Sequence, residues 1–209
     1  MLDFRLFAIG SSLPCVDESP ALAVEQFHRY ADAGIRAYQL RQKIWTDRMR
    51  FNTAQQLVAS SARYNARIFV NERADIAIMA DAAGVHLPET GINISCAKRI
   101  APNKLAGISC HSIIAARKAE EDGADYIFFG PIFDTESKRA FGLPLGLNAL
   151  REVCKEISVP VFAIGGITSD RAAECRAIGV HGVAVIGALA DAKSLSNIVK
   201  EFQNALGEL

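Results

Sequence analysis

Short apolar runs rich in β-branched residues recur at 5–9, 37–41, 67–71, 84–87, 104–109, 125–129, 160–164 and 182–186. Between them lie stretches with apolar residues three and four apart, at 21–33, 47–64, 113–121, 148–157 and 170–178. The first pattern is that of buried strands and the second that of amphipathic helices. Glycine closes several helical stretches, as at Gly34, Gly123 and Gly179, where the chain needs a left-handed residue. Ser169 and Asp170 stand where a helix cap is expected after the seventh run. Eight strand–helix units of roughly 25 residues suit a closed barrel better than an open doubly wound sheet. The expected fold is therefore α/β, a (β/α)8 TIM barrel, with residues 1–209 as a single domain.

In such a barrel the chemistry lies at the C-terminal ends of the strands. Polar residues gather there: Gln39, Arg41 and Lys43 after the second run, Asn71 and Glu72 after the third, Glu89 after the fourth, and Ser109 and His111 after the fifth. Alternation through Tyr38–Lys43 would put Gln39, Arg41 and Lys43 on one face of the sheet. The sixth run empties into Gly130–Lys138, whose Thr135, Ser137 and Lys138 make an anion site. Gly165 and Gly166 after the seventh run, and Ile186 and Gly187 after the eighth, let backbone N–H groups approach a phosphate. One phosphate group on the ligand is expected.

Charge removes other classes of partner. Lys plus Arg and Asp plus Glu number 23 each, so no net field draws the chain to nucleic acid or to an anionic membrane. Residues 1–10 hold no apolar core of signal-peptide length, and no stretch approaches the roughly 20 apolar residues of a membrane span. A cytoplasmic location is expected. Cys15, Cys96, Cys110, Cys154 and Cys175 are scattered, which suits reduced structural thiols and not a disulfide framework or zinc site.

As an ordered set, QLRQK at 39–43, FVNERADIA at 69–77, GVHLP at 84–88, ADYIFFGPIFDTESK at 124–138, FAIGGI at 162–167 and GVAVIGAL at 182–189 resemble the thiamine phosphate synthase and TenI family over nearly the whole chain. The resemblance implies a transferase that couples hydroxymethylpyrimidine diphosphate to a thiazole (carboxylate) phosphate, giving thiamine phosphate and diphosphate. It places Gln39, Arg41, Lys43, Asn71, Ser109 and Lys138 around the pyrimidine diphosphate, with Arg41, Lys43, Ser109 and Lys138 as the catalytic set. Thr135, Glu136, Ser137, Gly165, Gly166, Ile186 and Gly187 fall where the family holds the thiazole phosphate. The implied partners are these small molecules, and a homo-oligomer is compatible with the sequence.

The resemblance also implies Mg2+, and here the chain departs from the pattern. The family's first metal aspartate is replaced by Glu72, and its second falls on Gly91 in Pro88-Glu89-Thr90-Gly91; Gly187 stands for a serine. A strand-four loop without that aspartate is similar to the TenI-like branch, so a thiazole tautomerase, an isomerase of thiamine biosynthesis, is the alternative reading. A non-catalytic phosphate-ligand-binding regulator is the third. Some residues have plain structural readings as well: Asn71 as a helix cap, His86 as a histidine of the barrel interior, His111 at a helix start, and Trp45 either packed or over the site mouth.

Overall fold

A computed structural model describes residues 2–10, 19–135 and 143–207. In chain order the elements are β1 (Leu6–Ile9), α1 (Pro20–Asp32), β2 (Ala37–Leu40), α2 (Asp47–Ser61), β3 (Arg67–Asn71), α3 (Ala74–Met79), β4 (Gly84–Leu87) and α4 (Ile94–Ile100). They continue with β5 (Leu105–Cys110), α5 (Ile113–Glu121), β6 (Tyr126–Phe129), α6 (Gly146–Glu156), β7 (Val161–Ile164), α7 (Ser169–Ile178), β8 (Gly182–Val185), α8 (Gly187–Ala190) and α9 (Leu195–Leu206). Each strand pairs in parallel with its neighbours in sequence, and β1 pairs with β8, which closes the barrel. The (β/α)8 architecture expected from the alternation is the one found.

Two cores result from the two-residue period of the strands. Outward residues such as Leu6, Ala8, Ile68, Val70, Ile127 and Val183 pack beneath the helices. Inward residues Phe7, Phe69, Tyr126, Phe128 and Phe162, with Phe4 below, fill the barrel with aromatic rings. Most of these rings meet edge-on or tilted, at centroid separations such as 5.0 Å for Phe7–Phe128 and 4.8 Å for Phe7–Phe69, while Phe4 stacks on Phe162. So large a filling needs space on neighbouring strands. Gly107 supplies it, since a Cβ there would lie 2.1 Å from Cζ of Tyr126.

Local chemistry sets the helix starts. Ser19, Thr46, Asn93, Ser112 and Thr168 each accept a backbone N–H in the first turn of the helix that follows. The cap after β7 is thus Thr168, one residue before the Ser169 and Asp170 expected from the sequence. The glycine stops are found as expected, with φ of +112° at Gly34, +89° at Gly123 and +114° at Gly179. Trp45 packs into the core at 5 % exposure, which settles its two readings in favour of packing. Among the described residues no helix is long and apolar enough to cross a membrane.

Candidate active site

The inward positions change character on the way up the barrel. Beneath lie aromatic rings; above them, the last inward residues of β2, β3, β4 and β5 are Gln39, Asn71, His86 and Ser109. They bond across the strands in pairs. Gln39 Nε2 donates to Asn71 Oδ1 at 2.7 Å, and His86 Nε2 lies 3.0 Å from Ser109 Oγ. A third contact drops one layer, from His86 Nδ1 to the Tyr126 hydroxyl at 3.3 Å. Gln39 and His86 are almost wholly buried, at 1 % and 3 % exposure, so their hydrogen bonds are obligatory rather than optional.

Burial and charge decide the protonation of this layer. His86 is stacked on Phe128 with ring centroids 3.9 Å apart, and burial, helped by the nearby Arg41 cation, pushes its pKa down to about 3. The imidazole is neutral at any physiological pH. Tyr126 is pushed well above the usual phenol range by burial, then by Asp125, and keeps its proton. Arg41 is half-buried, and desolvation lowers its pKa against the opposing influence of Glu72, but a guanidinium stays charged. A permanent cation therefore stands at the mouth above a neutral polar floor.

β2 stops at Leu40, so Arg41 and Lys43 belong to the loop after it and the expected alternation does not run through them. What shapes this loop is Arg50 of α2, a residue with no motif of its own. Its Nε donates to Gln42 O at 3.0 Å and its Nη2 to Lys43 O at 2.9 Å. Lys43 itself is exposed. Asn71 spends its side-chain oxygen on Gln39, while the position before α3 is Arg73, which excludes the cap reading of Asn71. Glu72 is exposed at the same rim, with φ +64° and its N–H donating to His86 O at 2.9 Å. Glu89 Oε2 accepts the His111 backbone N–H at 2.9 Å, and His111 Nδ1 contacts Gly130 O. Cys110 is buried and its thiol is pushed up to about 12 by burial, so it is inert.

The other half of the mouth is made of backbone. Gly165 and Gly166 adopt φ of +96° and +64°, and the chain after β6 lies directly on them. Ile132 N–H donates to Ile164 O at 2.9 Å and Phe133 N–H to Gly165 O at 3.1 Å. Arg171 of α7 fastens the arrangement: its Nη1 donates to Gly166 O at 2.6 Å, and its guanidinium lies 4.5 Å from the Phe133 ring centroid. Beside this turn a cavity of about 510 Å³ is lined by Gly166, Thr168, Arg171, Gly187, Lys193 and Asn197. A larger depression of about 880 Å³ lies at the opposite, N-terminal end of the strands, against Arg5, Arg67, Pro160 and His181. That end holds none of the candidate residues, and barrels of this type place chemistry at the C-terminal end.

The structure thus gathers Gln39, Arg41, Asn71, Glu72 and Ser109 on one side of the mouth, and Gly165, Gly166, Ile186 and Gly187 on the other. Thr135 is half-buried at the end of the described β6 loop. Glu136, Ser137 and Lys138 lie outside the described residues, as does Cys15. Three participants were not singled out by their residue types: Arg50 and Arg171, which hold loops through carbonyls, and Tyr126, which reads as one more aromatic core residue.

A family model described as thiamine monophosphate synthase matches residues 13–189. The thiamine-phosphate synthase of Pyrococcus furiosus is 36 % identical over 186 residues, covering 89 % of this chain and 89 % of the relative. That of Clostridium novyi is 34 % identical over 202 residues, covering 96 % and 94 %. The solved structure of thiamine phosphate pyrophosphorylase from Pyrococcus furiosus superposes with a TM-score of 0.86 at 33 % identity, over 99 % of this chain and 96 % of that one. With a matched family model across most of its length and relatives above 30 % identity along almost all of it, the chain belongs to the thiamine monophosphate synthase family.

Proposed function

We propose that this chain is a thiamine phosphate synthase, joining hydroxymethylpyrimidine diphosphate to a thiazole (carboxylate) phosphate with release of diphosphate, and of CO2 where the thiazole carries the carboxylate. The observation that carries the reading is the half-buried Arg41 cation above the Gln39–Asn71 and His86–Ser109 pairs. A diphosphate leaving group requires such a cation, whereas moving a proton on a thiazole does not. In the reaction the bond between the pyrimidine methylene carbon and the diphosphate oxygen breaks, and its electron pair departs with diphosphate. The ring amino group stabilises the methylene cation, and the thiazole nitrogen lone pair forms the new C–N bond.

The residues divide the work. Arg41 clamps diphosphate oxygens with its fork of donors, and Lys43 and Lys138 add point charges. Gln39, Asn71 and Ser109 orient the pyrimidine. Gly165, Gly166, Ile186 and Gly187, with Thr135, Glu136 and Ser137, hold the thiazole phosphate so that its nitrogen faces the methylene carbon. Arg171→Ala, which removes the hydrogen bond to Gly166 O and the stack on Phe133, is expected to raise KM for the thiazole phosphate about tenfold. Steady-state kinetics with each substrate varied in turn check this; kcat and KM for the pyrimidine should move little.

The metal fit rests on Glu72. Among the described residues no group of three or more His, Cys, Asp or Glu side chains converges on a metal position. Magnesium, however, needs only one or two carboxylates beside water and phosphate oxygens. Glu72 is exposed at the mouth and near enough to Arg41 for its charge to be felt there, while Glu89 is engaged by the His111 N–H. The donor set therefore fits magnesium with Glu72 as its protein carboxylate, and the ion would neutralise charge on the departing diphosphate. Glu72→Ala is expected to raise the half-saturating Mg2+ concentration about tenfold, while Gly91→Asp, which adds a carboxylate at the rim, lowers it. Magnesium titrations of the coupling rate read both.

The assignment is tested by incubating the protein with hydroxymethylpyrimidine diphosphate, thiazole carboxylate phosphate and Mg2+, and following thiamine phosphate and diphosphate by chromatography. Magnesium-dependent thiamine phosphate supports the synthase. Aromatised thiazole in a parallel arm without pyrimidine, and no coupling with it, replaces the reading with a tautomerase; silence in both arms leaves a ligand-binding regulator.

A further inference from the structure

We infer that Tyr126, one layer below the active-site mouth, is a positioning residue that fixes the tautomer of His86 and so makes the Ser109 hydroxyl a donor to the bound substrate. The inference rests on the proposed synthase reading for the identity of that substrate, but not for the tautomer itself.

The hydrogen bonds of three groups depend on the place of one proton. The rings around Tyr126 are Phe7, Phe69, Phe128 and Phe162, none of which offers a hydrogen-bond acceptor, and its hydroxyl oxygen lies 3.3 Å from His86 Nδ1. A buried hydroxyl that keeps its proton must place it on an acceptor. With the proton directed at Nδ1, that nitrogen is the lone-pair nitrogen of the neutral imidazole, and the ring proton resides on Nε2. Nε2–H then donates to Ser109 Oγ across 3.0 Å. Serine oxygen accepts on one side, so its own proton points away from His86, towards whatever occupies the mouth between Gln39, Asn71 and Arg41.

The opposite arrangement fails at the bottom of the chain. With the ring proton on Nδ1, the Tyr126 hydroxyl would accept from it and carry its own proton into a wall of phenyl rings. The cost of an unsatisfied buried donor selects the first arrangement. Gly107, whose lack of a Cβ leaves room for the Tyr126 ring, keeps the phenol in place from the neighbouring strand. The consequence is that the Ser109 proton is offered to an acceptor on the substrate, such as a ring nitrogen or a diphosphate oxygen.

The decisive measurement is the nitrogen NMR spectrum of the imidazoles in the full-length protein, with His86 assigned by its loss in His86→Gln. A pyridine-type Nδ1 and a pyrrole-type Nε2 at His86, unchanged between pH 6 and 9, are expected; the reverse pattern overturns the inference without any variant or substrate. Kinetics supply the second arm. Tyr126→Phe is expected to give a mixture of tautomers at His86 and about a tenfold higher KM for the pyrimidine diphosphate, with KM for the thiazole phosphate unchanged. A single unaltered tautomer with unaltered pyrimidine KM in Tyr126→Phe overturns the inference. Wild-type protein that couples nothing yet shows the expected tautomer overturns the synthase reading and leaves the hydrogen-bond chain standing.

Discussion

Replacing Arg41 by alanine is expected to lower kcat/KM for coupling about 1,000-fold while leaving the barrel folded, an effect of the size seen when one preorganised charge-stabilising donor is removed. The guanidinium is half-buried, so its interaction with a departing diphosphate is weakly screened, and its charge cannot be lost to deprotonation. Its removal does more than delete an attraction. Glu72, whose charge now opposes the desolvation of Arg41, would face the diphosphate without a neighbouring cation. Arg41→Lys keeps the charge but not the two-pronged geometry, and about a 30-fold loss is expected for it. The same variants should melt within about 2 °C of the parent, because residue 41 lies in the loop beyond β2 and outside the sheet. A loss of less than tenfold in Arg41→Ala would transfer the diphosphate to other cations and sink its assigned role.

Much of this architecture is legible from the chain because a parallel barrel buries both faces of its strands. Each of the eight runs is apolar enough to stand out, and the strand bounds differ from the expected ones by a single residue at most at either end. The helices are less even. α3 and α4, of 6 and 7 residues, are too short for a 3.6-residue period to register. α9 does carry the spacing, at Leu195, Ile198, Val199 and Phe202, yet with no strand following it the alternation gives no reason to seek it.

The site divides on the same line. Residue types at strand ends point to Gln39, Asn71 and Ser109, which do come together. Residue types alone do not reveal where hydrogen bonding stops, so the alternation expected from sequence runs past Leu40, where the strand ends. Nor do they reveal the register that sets His86 opposite Gly107 and Gly107 opposite Tyr126, which brings the phenol under the imidazole. A histidine of the barrel interior is what His86 is, but its interior place links it to the mouth through Ser109. Arg50 and Arg171 were invisible for another reason: their partners are carbonyl oxygens, which every residue carries.

Gly165→Ala is expected to be the most disruptive change to the backbone half of the site, lowering the melting temperature by roughly 5–11 °C and weakening the thiazole phosphate at the same time. Two separate costs combine. The residue sits at φ +96°, which an L side chain rarely adopts, at about 1–2 kcal/mol. Its new Cβ would also lie 2.5 Å from Pro131 Cβ and 2.6 Å from Pro131 Cα, and overpacking against a backbone adds about 1–3 kcal/mol. Gly123→Ala separates the two, for it shares the positive φ, +89°, and would meet nothing within 4 Å. Only the first cost applies there, and a fall of roughly 2–5 °C is expected. The excess in Gly165→Ala measures the contact with the β6 loop, and it has a functional reading as well. Relief of the clash requires Pro131 to move away, breaking the bonds from Ile132 to Ile164 and from Phe133 to Gly165 that align the loop leading to Thr135 with the β7 turn. The two variants should therefore differ in thiazole phosphate KM by more than their stabilities differ. Equal melting temperatures would mean that the loop and the glycine turn are not locked together, and that the phosphate is held by each independently.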